Sequence, residues 1–213
     1  MAGKPLVIAA LGARGSGKSA WVRQYLSKAR PARLVVWDYM HEYPQRAVYS
    51  LPELLQLMAA PRWELAYRPN PGRRDAEFEL LCRAVRAARR CTLVVEELAF
   101  VTTASRAPPV WRELTLLGRH TTHAEASIIG ISQRPASIDK DFLACADVIH
   151  CGRLANLPDA RAVASYVGCD PRELTTLPDL HYIERQAGQA EAAHGVLRFG
   201  NDPKNSRARR KTA

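Results

Sequence analysis

The run Leu6-Val7-Ile8-Ala9-Ala10-Leu11, followed by Gly12-Ala13-Arg14-Gly15-Ser16-Gly17-Lys18-Ser19, decides the fold of this 213-residue chain. Its six apolar residues read as a buried strand. The next eight match G-x-x-x-x-G-K-[ST], and Ala20-Trp21-Val22-Arg23-Gln24-Tyr25-Leu26 then turns helical. The motif therefore stands in the strand–loop–helix context that gives it meaning. Glycines at 12, 15 and 17 let the backbone curl with its N–H groups pointing inward. The start of the helix adds its dipole and its free N–H groups, a ready anion site. Gly12, Ala13, Arg14, Gly15, Ser16, Gly17, Lys18 and Ser19 are thus expected to hold ATP, with Lys18 on the β- and γ-phosphates and the Ser19 hydroxyl on Mg²⁺.

Outward from this loop, apolar strands alternate with helices. Arg33–Asp38 reads as a second buried strand, running into the polar and aromatic turn Tyr39–Pro44. Ser50-Leu51-Pro52-Glu53 has the pattern of a capping box opening the helix Leu54–Met58. Trp63–Arg68 is a third strand, broken by Pro69-Asn70-Pro71-Gly72. Asp75 is expected to cap a helix through Arg90 that buries Phe78, Leu81, Cys82, Val85 and Ala88. Further strands follow at Thr92–Glu97, Ser127–Ser132 and Asp147–Cys151, with helices around Trp111 and Leu114 and just before Asp147. Strands that are apolar throughout and separated by helices predict an α/β fold: a mostly parallel sheet with helices on both faces. Beyond Gly152 come helices at Asp159–Tyr166 and after Asp170, and two strands, His181–Arg185 and Gly195–Phe199, that predict a terminal hairpin.

The totals narrow the function. No stretch approaches the ~20 apolar residues of a membrane span, and no secretory signal opens the chain. The five cysteines contain no C-x-x-C pair, so neither a disulfide framework nor a zinc knuckle is expected. A net charge of +10 favours a polyanionic partner, nucleic acid first, over a charge that serves solubility alone. From Lys204 on, Lys204, Arg207, Arg209, Arg210 and Lys211 meet no acid. Residues 1–203 therefore read as one domain and 204–213 as a basic, flexible tail able to neutralise phosphates.

Glu96-Glu97, closing an apolar strand downstream of the phosphate loop, is the second anchor. A hydrolysing site needs one carboxylate for the metal's hydration shell and another to polarise the attacking water. Glu96 is assigned to the metal and Glu97 to the water; the alternative is a pair of solvated acids at a strand end. Gln133, after the Ser127–Ser132 strand, can bond both a γ-phosphate and a water through its amide.

Glu96-Glu97, Leu117-Gly118-Arg119-His120, Ile129-Gly130-Ile131-Ser132-Gln133-Arg134-Pro135 and the strand Asp147–Cys151 together resemble the FtsK–HerA superfamily of DNA-translocating ATPases. Asp38 to Tyr43 (D-x-x-x-E-Y) is similar to a HerA-like turn after the second strand. The small chain resembles most the genome-packaging ATPases of tailless, membrane-containing phages. That resemblance implies a P-loop domain of the additional-strand, RecA-like (ASCE) type with a C-terminal helix and β-hairpin appendage. It implies ATP hydrolysis within a homo-oligomeric ring, hexamer or pentamer, around double-stranded DNA held without sequence preference. It also implies capsid vertex or portal partners, contact with a virion membrane through them, and a setting in the infected cell's cytoplasm or the virion. An arginine from the neighbouring subunit completes such a site; Arg119 matches best, with Arg134 and Arg153 in reserve. The competing readings are a Zot-like filamentous-phage assembly ATPase, a small-molecule kinase and a nucleotide switch without turnover.

Overall fold

The computed structural model describes residues 4–118, 120 and 123–199; Arg119 and the basic tail 204–213 lie outside them. The six-residue apolar run becomes β1 (Val7–Leu11), and the phosphate loop leads into α1 (Lys18–Ala29). There follow β2 (Arg33–Trp37), β3 (Arg46–Val48), α2 (Leu51–Met58), β4 (Trp63–Tyr67), α3 (Arg74–Ala88) and β5 (Thr92–Val95). Next come α4 (Pro109–Leu117), β6 (Ser127–Ser132), α5 (Lys140–Ala144) and β7 (Val148–Gly152). α6 (Leu157–Val167), α7 (Pro171–Thr176), β8 (His181–Gln186) and β9 (Ala193–Val196) complete the order.

Among the described residues nine strands form one sheet in the order β3-β4-β2-β5-β6-β1-β7-β8-β9. β3 through β7 run parallel, and only β8 and β9 run against their neighbours. The decisive feature is β6, which sits between β1 and β5 in register with both: Ala9 pairs with Gly130 and Gly130 with Val95. This is the inserted strand of the additional-strand P-loop fold. It puts the phosphate loop, the Glu96-Glu97 end of β5 and the Gln133 end of β6 on one edge of the sheet.

The two faces are covered unequally. Val7, Ala9 and Leu11 of β1 point into the larger core with Val35, Trp37, Leu93, Val95 and the buried sides of α2 to α7. Ile8 and Ala10 point the other way, into a smaller core with Val36, Val94, Ile129 and Ile131 that α1 covers through Val22 and Leu26. Each strand alternates between these cores because successive side chains leave a strand on opposite sides. β1, β2, β5 and β6, being buried on both sides, read as near-continuous apolar runs.

Local details depart from the expectations. Ser50 precedes α2 but its side chain makes no capping hydrogen bond, and Asp75 lies inside α3, whose first residue is Arg74. β3 carries no apolar run (Arg46-Ala47-Val48) and is not read from sequence; it takes its place by pairing with β4. The hairpin exists, but its second strand covers Ala193–Val196 and ends before Phe199, and β8 attaches it to the sheet through β7. No helix of the described residues is long and apolar enough to cross a membrane.

Candidate nucleotide-hydrolysis site

The phosphate loop is tied down at its start by neighbours on either side. Gly12 N–H donates to Ser132 O (3.2 Å) and Ala13 N–H to Arg153 O (2.7 Å), so the ends of β6 and β7 both hold it. A side chain at Gly12 would be blocked, since a Cβ there would lie 2.4 Å from Ser16 Oγ. Gly17 has φ +94°, and its missing side chain makes room for Leu197, whose Cδ2 would sit 2.8 Å from a Cβ. The C-terminal hairpin thus packs directly on the loop. Ser16 Oγ is buried without a hydrogen-bond partner, a free polar atom inside a loop that presents N–H groups. Such a cradle suits a phosphate oxygen.

Lys18 is 7% exposed and donates from Nζ to Ala13 O (3.0 Å) across the loop. Burial lowers its pKa, opposed by the negative charge of Glu97, Glu96 and Glu42. Both carboxylates of the pair are therefore felt at the lysine, and the strand geometry explains how. Glu96 continues the alternation of Val94 toward the α1 side, where its Oε1 accepts from the Ser19 hydroxyl (3.3 Å). Glu97 leaves the strand in the left-handed region (φ 50°, ψ 66°) and opens a short 3₁₀ turn, Leu98–Phe100. Its Oε1 accepts from the Gln133 amide N–H (3.3 Å) and from Ser132 Oγ (3.4 Å). A regular strand would send the two carboxylates to opposite faces; the left-handed turn gives each its own station on one edge.

Glu96 and Glu97 are 5% and 7% exposed, so two solvated acids is not what the structure contains. Burial, and then the charge of Glu42, push the Glu96 pKa up to about 7, against the pull of Tyr43, Ser19 and Lys18. Its Oε2 is buried with no hydrogen-bond partner. A carboxylate with one oxygen free, beside a hydroxyl, is a hard-oxygen donor set of the kind Mg²⁺ takes with its retained waters. Ser19 and Glu96 therefore fit a divalent cation held beside a bound triphosphate.

Gln133 is brought to this site by β6, its backbone N–H holding Glu97. The reserve arginines are held within the chain: Arg134 Nε pairs with Asp159 Oδ2 (3.2 Å) and Arg153 with Asp179 (2.6 Å). Two organisers were not read from sequence. Asp159, 1% exposed, accepts from Arg134 Nε, from Ala136 N–H (3.0 Å) and from Asn156 Nδ2 (2.7 Å), and so fixes the turn that follows Gln133. The pattern Asn156-x-x-Asp159 is a capping-box spacing that could have revealed it. The second is Asp38, fully buried at the end of β2, whose carboxylate accepts from the N–H groups of Glu42 and Tyr43 and so fixes the turn that carries Tyr43 into the smaller core.

No family model matches the chain. Among curated proteins it is 28% identical to Protein P9 of Pseudoalteromonas phage PM2 over 179 residues, 80% of this chain and 78% of that protein. Among solved structures it is similar to the genome packaging NTPase B204 of Sulfolobus turreted icosahedral virus 2 in complex with AMPPCP. That likeness has a TM-score of 0.78 at 16% identity and covers 93% of this chain and 100% of B204. The pCW3 conjugation coupling protein TcpA, with ATPγS, gives 0.64 at 17% identity over 94% of this chain and 62% of that one. The bacterial conjugative coupling protein TrwB gives 0.65 at 11% over 93% and 86%. The fold is shared with the solved structures of a viral genome packaging NTPase and of conjugation coupling proteins.

Proposed function

Starting from a chain that has the fold of FtsK–HerA-type P-loop NTPases, we propose that it hydrolyses ATP to drive double-stranded DNA into a preformed viral capsid. The observation that carries the hydrolytic part is the placement of Glu97. Its carboxylate is buried, held by the backbone N–H of Gln133, and close enough to Lys18 to act on its charge. Lys18 and the loop N–H groups bind and orient the phosphates. Glu97 accepts the proton of the attacking water, and the Gln133 side chain bonds water and γ-phosphate together. Mg²⁺, held beside Ser19 and Glu96, supplies charge neutralisation on the phosphates when bound.

The packaging part is supported by the likeness to B204 and to Protein P9 of a phage, and by the net charge of +10. In this reading residues 1–203 form one ATPase domain that assembles into a hexameric or pentameric ring on DNA at a capsid vertex, meeting portal proteins and, through them, the virion membrane. The DNA is gripped by its phosphates without sequence preference, and the tail 204–213 adds to that grip. A neighbour supplies Arg119, whose fork meets the charge that spreads over the γ-phosphate, an effect of roughly 10³–10⁵ in rate where such arginines act. Arg134 and Arg153 are second choices because each already has a partner in its own chain.

The test is ATP turnover with and without double-stranded DNA, for the intact protein and for Glu97→Gln. Turnover rises with DNA and falls by roughly 10²–10⁴ in the variant, while ATP binding persists. Phosphate transfer to a nucleoside with no response to DNA would refute the motor. Mixing Arg119→Ala with Lys18→Ala subunits should restore part of the hydrolysis, since one intact site forms between the two kinds. Mixed rings without any rescue would place the arginine elsewhere.

A further inference from the structure

The phosphate site has a direction, set by the order of the strands. Glu96, Glu97 and Gln133 stand at the ends of β5 and β6, on one side of the loop, whereas β7, β8 and β9 lie on the other. A nucleotide whose γ-phosphate meets those acids therefore leads its nucleoside toward the hairpin. The head of α1 agrees. Trp21 N–H donates to Gly17 O (2.8 Å) and closes the first turn, so among the described residues the N–H groups of Lys18, Ser19 and Ala20 carry no hydrogen bond. Ala20 N–H is the last of these, one residue beyond Ser19, and is the place for the phosphate that adjoins the ribose.

A groove of about 420 Å³ begins at Ala20 and runs along α1, walled by Gln24 on the helix and by Arg198 and Phe199 beyond the hairpin. Small-molecule sites measure roughly 300–1,000 Å³. The far wall is held in place: Leu197 N–H donates to Leu180 O (2.8 Å), Leu197 takes the room that Gly17 leaves, and Gln24 Nε2 donates to Arg198 O (2.9 Å). Phe199 is 43% exposed and offers the groove an aromatic face. A second groove follows Trp21 and Tyr25, but it starts one residue further on, at an N–H already used. The bond from Gln24 also fixes which way its amide faces. A backbone carbonyl only accepts, so the nitrogen must be the end at Arg198 O, and Oε1 is left as an acceptor. Adenine carries an amino donor at the position where guanine carries a carbonyl oxygen. An acceptor bonds the first and is set against the lone pairs of the second.

We propose that this groove seats the base of the nucleotide, with Phe199 stacked on the ring and Gln24 Oε1 accepting from the exocyclic amine of adenine, so that the chain prefers ATP to GTP. The inference deepens the ATPase reading and rests on it at one point, the seating of the triphosphate in the loop from Gly12 to Ser19. Stacking on an aromatic ring tolerates any base, so Phe199 supplies affinity and Gln24 supplies the choice. The consecutive residues Leu197, Arg198 and Phe199 then serve the loop, the amide and the base in turn.

The experiment is a calorimetric titration of ATP, GTP and inorganic tripolyphosphate, each with Mg²⁺, into the intact protein, Phe199→Ala, Gln24→Leu and Lys18→Ala. The intact protein is expected to bind ATP about tenfold more tightly than GTP. Phe199→Ala weakens both by about tenfold and leaves tripolyphosphate unchanged. Gln24→Leu brings ATP down to the level of GTP, again without effect on tripolyphosphate. Equal binding of ATP and GTP by the intact protein, or a Phe199→Ala variant that binds both as the intact protein does, overturns the proposal while the reading of the loop stands. An equal loss of all three ligands in Phe199→Ala or Gln24→Leu overturns it too, because the residue then only props the loop. Tripolyphosphate bound as well by Lys18→Ala as by the intact protein removes the phosphate site itself, and the seat of the base with it.

Discussion

Gly130→Ala adds a single methyl at the centre of the sheet, and the structure says where it goes. A Cβ on residue 130 would lie 2.5 Å from Phe142 Cζ, 2.9 Å from Phe142 Cε1 and 3.1 Å from Leu98 Cδ2. Carbon atoms rest at about 3.5–4.0 Å, so the ring must retreat by roughly 1 Å. Phe142 has little room for this, because Trp111 stands 5.5 Å behind it, centroid to centroid, and is pinned by its own hydrogen bond to Asp139 (3.2 Å). The backbone cannot yield either, since β6 is paired on both sides. Overpacking of this kind costs about 1–3 kcal/mol, a fall in melting temperature of roughly 2–12 °C for a chain of this size. Urea unfolding in a double-mutant cycle with Phe142→Leu measures it. Phe142→Leu alone opens a cavity, and the two together should lose about 1 kcal/mol less than the sum of the parts. The chemistry should suffer as well, because Leu98 follows Glu97 and the methyl presses on the turn that aims that carboxylate. Gly130→Ala within about 0.5 kcal/mol of the intact protein, or a cycle that is additive to that margin, would refute the reasoning.

Two further predictions concern the loop and its carboxylate. The Glu96 pKa is raised by burial from its usual value to about 7, so its favourable share of stability is complete below the unfolded value and is lost as pH rises through about 7. In EDTA, Glu96→Gln should therefore gain up to about 3 kcal/mol on the intact protein between pH 5 and pH 8; a constant difference in urea unfolding across that range would refute this. Gly17→Ala meets both a left-handed φ of +94° and the Leu197 side chain. It should weaken nucleotide binding and stability, and Leu197→Ala should relieve only the contact, leaving about 1 kcal/mol or more of backbone strain in thermal melts. Full recovery in the double variant would show that the φ is not the constraint.

What could be read from the sequence, and what could not, follows one physical division. β1, β2, β5 and β6 are buried on both faces, so the middles of their sequences are apolar runs that declare themselves. β3, with Arg46-Ala47-Val48, is held by its partner β4 rather than by its own side chains, and it declared nothing. The ends of helices divide likewise. Asn70, Asp139, Asn156 and Asp170 do accept capping bonds, whereas Ser50, in the stronger-looking pattern, does not. A cap is decided by side-chain rotation, which competing contacts settle. Within the site, residues bonded to neighbours in sequence or set by a motif were legible: Lys18, Ser19, Glu96, Glu97 and Gln133. The Asn156-x-x-Asp159 spacing marks the cap of α6, but Asp159's reach of 25 residues back to Arg134 is made only once the sheet has assembled.

The inserted strand β6 has a consequence of scale. Hydrogen-bonded strands stand about 4.8 Å apart, so one strand between β1 and β5 holds the lysine-bearing loop and the paired acids roughly 10 Å apart at their roots. That interval is a gauge block cut in units of a single peptide ladder, and it cannot be adjusted by small steps. Fine adjustment is left to the side chains that span the gap. A glutamate at 96, one methylene longer than an aspartate, reaches Ser19 across it, and the middle position of the block is occupied by the strand that delivers Gln133.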